Sequence, residues 1–170
     1  MKKMLNANGE KIKVNKGRLL EMAVYESFGV KYEGIDNIKT QHQCDLYAKG
    51  VKYDIKSERG SIITKYGDTR KAKNLTESQK TAFVNEMVDA LMKSIDEKRT
   101  FLFAIIGLDS NLLYSMNKNQ WKAFLKHFAI VDNATDKGEY LKIRLDAKSE
   151  RAYKKMTDWL TEKNIKTMAI

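Results

Sequence analysis

The segment Thr100-Phe-Leu-Phe-Ala-Ile-Ile106 is apolar at every position after its first. Successive side chains of a strand point to opposite faces, so this run predicts a strand buried on both sides. A sheet that holds it needs a covering layer on each face. The rest of the chain can supply those layers. Leu20, Val24 and Phe28 recur at helical spacing between about Asn15 and Phe28, and Gly29 stops that helix. Thr76 caps a second helix, Glu77 to about Lys98, with Phe83, Met87, Leu91 and Ile95 as its apolar stripe. A third starts at Asn117 and carries Trp121, Phe124, Leu125 and Phe128; a last amphipathic helix runs from about Lys148 to Leu160. Gln43–Ser57 alternates with period two about Lys49-Gly50 and predicts a β-hairpin, and Asn111–Met116 and Tyr140–Leu145 read as further strands. Gly60–Asn74, with its glycines and charges, reads as a loop. This order predicts one α/β domain over residues 1–170, with a mixed central sheet flanked by helices.

Composition narrows the partners. No apolar run approaches the roughly 20 residues of a membrane helix, and Met1-Lys2-Lys3 is not followed by an apolar leader, so no membrane role is expected. A lone cysteine, Cys44, cannot close an intrachain disulfide, which points to the cytoplasm. Two histidines and that cysteine are too few for a zinc finger. Neither GxxxxGK[ST] nor GxGxxG occurs, so no nucleotide cofactor is expected. The net charge of +10 calls for a polyanion, with nucleic acid foremost. Six Lys/Arg face one Glu between Met1 and Arg18, and six face two acids between Arg59 and Lys80.

The hairpin carries the chemistry. With Lys49-Gly50 as a two-residue turn, Ala48 faces Val51, Leu46 faces Tyr53 and Cys44 faces Ile55 on an apolar face. The other face pairs Tyr47 with Lys52, Asp45 with Asp54 and Gln43 with Lys56. Two carboxylates directly opposite repel unless a cation lies between them, and a divalent ion with oxygen ligands would serve, with Lys56 projecting from the same face. A bulged turn would instead set Asp45 against Tyr53. Glu21 puts a further acid on a helix face shared with Val24, Tyr25 and Phe28, where a carboxylate is costly unless paired or metal-bound, Arg18 being its alternative partner. His42 reads as a polar residue at the hairpin border, and Cys44 as a small buried side chain.

Together Glu21, Asp45 and Asp54-Ile55-Lys56 resemble the PD-(D/E)xK nuclease superfamily, the restriction-endonuclease-like fold. The resemblance spans about Asn15 to Met116; Cys44 stands where the pattern has proline, and Glu58 is an acid past the site. It implies a Mg²⁺-dependent endodeoxyribonuclease, with Mn²⁺ as an alternative metal, acting on DNA as a homodimer. Asp45, Asp54, the Ile55 carbonyl and Glu21 would be the ligands, and Lys56 would activate water. Arg59, Lys65, Arg70, Lys71 and Lys73 are the candidate DNA contacts. Restriction-type or general duplex cleavage leads, with a junction-resolving or mobile-element nuclease of the same fold as alternatives. A non-catalytic basic nucleic-acid-binding module and a subunit for an acidic protein partner compete from outside the class.

Overall fold

The computed structural model describes residues 16–32, 43–108, 110–135 and 138–170. Most of the amino-terminal basic run, and His42, lie outside the described residues. Helix α1 spans Lys16–Ser27 and ends where Gly29 adopts a left-handed conformation (φ 65°); Val30 N then bonds to Tyr25 O and Gly29 N to Glu26 O. Strands β1 (Leu46–Ala48) and β2 (Val51–Ser57) form the hairpin, and β3 (Ser61–Thr64) follows. Helix α2 (Glu77–Lys93) and helix α3 (Lys118–Phe128) each open on a capping box, Thr76 with Gln79 and Asn117 with Gln120. Between them lie β4 (Thr100–Ala104) and β5 (Leu112–Asn117); after them come β6 (Ala129–Ala134), β7 (Tyr140–Leu145), helix α4 (Glu150–Glu162) and β8 (Lys166–Ala169).

The expected mixed sheet is present, in the order β1-β2-β4-β5-β8, with β2 and β4 parallel and its other neighbours antiparallel. A second, antiparallel sheet (β3-β7-β6) was not foreseen. It corrects the reading of Gly60–Asn74 as a loop: Ser61–Thr64 pairs with β7, and Ala72–Asn74 forms one 3₁₀ turn. Its two isoleucines, Ile62 and Ile63, are too short a signal to stand out among glycines and charges.

β4 is buried on both faces, as its sequence requires. Leu102 and Ala104 join Leu20, Val24 and Tyr25 of α1, with Leu46, Ile55 and Leu113. Phe101 and Phe103 point the other way, into a larger core built from α2, α3, α4 and β7. Trp121 stacks nearly parallel on Phe124 there and also on Phe101, each at 5.5 Å between ring centroids. The aromatic stripe of α3 is core, as read from its spacing.

One acidic side chain ties the sheet together. Glu58, just past β2, has a fully buried carboxylate that accepts from Ile106 N at 2.7 Å and Gly107 N at 2.6 Å. It thereby anchors the turn between β4 and β5, where Gly107 lies so close to the Tyr153 ring that a Cβ would collide with it. Both Glu58 oxygens are thus engaged within the fold. Glu58→Ala is expected to destabilise the fold by about 3 kcal/mol, since two charge-assisted bonds vanish and two buried amides are left without acceptors. Glu58→Gln, which keeps one acceptor, should recover roughly half of that loss in urea denaturation.

Candidate active site

The β1–β2 turn uses Lys49 and Gly50 at φ 49° and 78°, the mirror-image two-residue turn that matches strand twist. Leu46↔Tyr53, Tyr47↔Lys52 and Ala48↔Val51 follow the expected register. The ladder then stops one pair short of the two aspartates. Gln43 takes a positive φ of 53°, Asp45 lies in a bend, and Asp45 N donates to Tyr53 O at 3.0 Å. Asp45–Asp54, Cys44–Ile55 and Gln43–Lys56 are therefore not cross-strand pairs. The chain slips at Asp45 onto the contact that the bulged alternative assigns to it.

The slip turns the Asp45 carboxylate inward. Its Oδ2 accepts from Ile55 N at 2.8 Å, replacing the strand partner this amide has lost, and stands 4.0 Å from Lys56 Nζ. The Asp45 carbonyl accepts from the Tyr25 hydroxyl of α1. In a strand the N–H and C=O of one residue project to the same side, so the Ile55 carbonyl also faces the Asp45 side, beyond the last ladder pair.

Asp54 is held differently. Its side chain is only 13% exposed, and its Oδ1 accepts from Arg99 Nη1 at 2.8 Å; Arg99 Nη2 also reaches Asp96 at 3.2 Å. Burial pushes the Asp54 carboxyl above its ordinary 3.8; Lys56 and Arg99 oppose that rise, and the Asp45 charge adds to it. The cation that paired aspartates require thus comes from the protein itself, Arg99 on one and Lys56 on the other. Arg99 was not singled out in the sequence. It reaches Asp54 because β2 and β4 run parallel with Asp54 beside Phe101, and nothing local encodes that pairing.

Glu21 belongs to a neighbouring cluster. It accepts from the Tyr32 hydroxyl at 3.2 Å. Burial, then the charges of Glu21 and Asp45, push the Tyr25 hydroxyl up to about 12, so Tyr25 is a neutral donor between the two acids. Among the described residues no three His, Cys, Asp or Glu side chains gather closely enough to hold a metal ion. This corrects the expectation that Glu21 joins Asp45 and Asp54 in one ligand set: α1 packs on the opposite face of the sheet from Asp54, whose even-numbered face of β2 is shared with Phe101. Cys44 is buried with its thiol pushed upward by desolvation, as befits a core residue.

The basic segment is largely engaged within the molecule. Arg70 forks onto Asp68 at 3.0 and 2.8 Å, Lys65 pairs with Glu86 at 2.8 Å, and Lys71 pairs with Glu139. Arg59 and Lys73 are exposed, Arg59 lying 3.5 Å from Glu58. Beside Lys56 and Arg59 a cavity of about 400 Å³ opens between β2 and α2, with Leu91, Ile95 and Trp121 among the residues that line it.

No protein-family model matches this chain, and neither curated proteins nor solved structures yield a match. Among the described residues no helix is long and apolar enough to cross a membrane.

The Asp54–Arg99 pair has a pH signature. A carboxyl raised above its unfolded value binds protons more tightly in the native state, so its contribution to stability falls as pH rises through that range. Arg99→Leu removes the opposing guanidinium from a side chain only 9% exposed and should cost about 3 kcal/mol near pH 7. That deficit should shrink as pH is lowered through the range in which the raised Asp54 carboxyl takes up its proton. Denaturation at a series of pH values checks it; a deficit that does not change with pH would remove Asp54 as the source.

Proposed function

We propose that this chain is a Mg²⁺-dependent endodeoxyribonuclease of the restriction-endonuclease-like kind. The reading rests on one observation, the convergence of Asp45, Asp54, the Ile55 main chain and Lys56 at one end of β2. Mg²⁺ keeps several waters and takes one or two carboxylates together with substrate phosphate. Asp45, Asp54 and the Ile55 carbonyl fit a cation that arrives with a phosphodiester; they do not fit one caged by protein ligands alone. Mn²⁺ would suit the same oxygen donors.

When bound, the cation supplies positive charge to the scissile phosphate during in-line attack by water. The side chains supply the rest. Lys56, nearly half exposed and anchored by Asp45, orients the attacking water and stabilises the charge that develops on phosphorus-bound oxygen. Arg99 fixes the Asp54 carboxylate in one orientation. Tyr25 holds the Asp45 backbone in place, and Glu21 acts through Tyr25 rather than as a ligand. Arg59 and Lys73 are the proposed phosphate contacts; Lys65, Arg70 and Lys71 contribute by exchanging their acidic partners for phosphate. A homodimer would bring one such site to each strand of a duplex.

A second reading has its own support. Asp54 already carries Arg99 as a counter-ion, which suits a basic nucleic-acid-binding module without catalysis. Cleavage of plasmid, linear duplex and four-way junction in Mg²⁺ or EDTA separates the two. The nuclease reading expects metal-dependent cutting that Lys56→Ala reduces roughly 10²–10³-fold, the usual loss when one transition-state donor is removed. Asp54→Asn should abolish cutting while retaining DNA binding in EDTA. Salt-sensitive binding with no cutting of any substrate would select the non-catalytic module.

A further inference from the structure

The cavity beside Lys56 and Arg59 has two chemically distinct parts. Its polar lining includes the ammonium of Lys56 and the guanidinium of Arg59, both nearly half exposed, with Ser57, Ser61 and the Asp54 carboxylate, whose charge Arg99 meets. Its apolar lining includes Leu91 of α2 and Ile95 just beyond the end of that helix, both partly buried, and the buried Trp121 of α3. At about 400 Å³ it falls within the range of small-molecule sites. An occupant that satisfies both parts is a planar, weakly polar ring carrying an anion on a short tether. A nucleotide turned out of its stack has that form, its base against the apolar wall and its phosphate at Lys56 and Arg59.

We infer that the cavity between β2 and α2 receives one unstacked nucleotide of a DNA strand, so that the substrate is DNA containing an unpaired residue rather than uninterrupted duplex. The inference rests on the nuclease reading for its DNA partner, but the cavity makes a separate demand on structure. An uninterrupted duplex keeps its bases stacked and must expend several kcal/mol to fill the cavity; a bulged nucleotide is already partly unstacked. A preference for bulged over paired DNA follows whether or not cleavage occurs.

The test is equilibrium binding in EDTA to two oligonucleotide duplexes that differ only by one unpaired 2-aminopurine, with free deoxynucleoside monophosphate as a third ligand. The full-length chain is expected to bind the bulged duplex about tenfold more tightly, the usual worth of one base against an apolar platform, with a change in 2-aminopurine emission. Leu91→Trp in α2 and Ile95→Trp just beyond it, which fill the cavity from two partly exposed positions, should each erase the preference while leaving salt-dependent binding to paired duplex intact. Two substitutions at separate positions guard against one that misfolds, and retained binding to paired duplex reports the folded state. Equal affinity for the two duplexes, or a preference that survives both substitutions, overturns the inference and leaves the nuclease reading standing. Monophosphate binding as tight as that of the bulged duplex overturns the strand as its source. Failure to bind any DNA overturns both readings together.

Discussion

Three ionisable side chains on one face of β2 and its extension govern this molecule. Asp54, Lys56 and Glu58 alternate toward the side of the sheet that Phe101 and Phe103 of the neighbouring strand devote to core. Asp54 and Glu58 are buried and must be satisfied there, because an isolated charge against apolar walls is prohibitive, whereas Lys56 also reaches solvent. The structure solves each case separately. Arg99 meets Asp54, Asp45 meets Lys56, and two backbone amides meet Glu58. Each solution recruits a different part of the chain, so the segment before β1, the residue before β4 and the turn after β4 are all fixed with respect to β2.

This arrangement explains what the sequence disclosed and what it withheld. The strand at Thr100–Ala104, the capping residues Thr76 and Asn117, and the hairpin register near the turn all follow from local pattern, and all are present. Phe101 and Phe103 separate from Leu102 and Ala104 in the way strand alternation requires. The approach of Asp45, Asp54 and Lys56 was legible because a hairpin is a local structure. Its end was not, since the slip at Asp45 depends on α1, whose Tyr25 hydroxyl holds the Asp45 carbonyl from twenty residues away. Arg99 and the second sheet depend on pairing between distant strands, one parallel and one antiparallel, which period-two patterning cannot specify.

The basic segment gives a related lesson about charge. Counting residues from Arg59 to Lys80 suggests a surface open to phosphate. Folding brings Asp68, Glu86 and Glu139 against Arg70, Lys65 and Lys71, and Arg70 also lies 6.0 Å from the Phe83 ring centroid. The Lys65–Glu86 and Lys71–Glu139 pairs are exposed, contribute little to stability and are easily exchanged, whereas Asp68, only 10% exposed, holds Arg70 more firmly. Net charge steers a polyanion toward the molecule; the local balance of pairs decides where it rests.

The cavity between β2 and α2 follows from the same electrostatic constraint. α2 packs tightly along its Phe83, Met87 and Val88 face, where its neighbours are apolar. At Leu91, and at Ile95 just past its end, the chain instead faces the stretch of β2 that carries Asp54 and Lys56, and close apolar packing there would strip water from charges already partly desolvated. The helix and the strand are held apart where their surfaces are incompatible, and the gap opens beside Lys56, the side chain to which the proposed chemistry is assigned. A molecule that must keep ionised groups on the core side of its sheet thereby acquires a recess next to them. Any ligand that enters it replaces water with its own polar groups at the mouth and buries its apolar part against Leu91, Ile95 and Trp121.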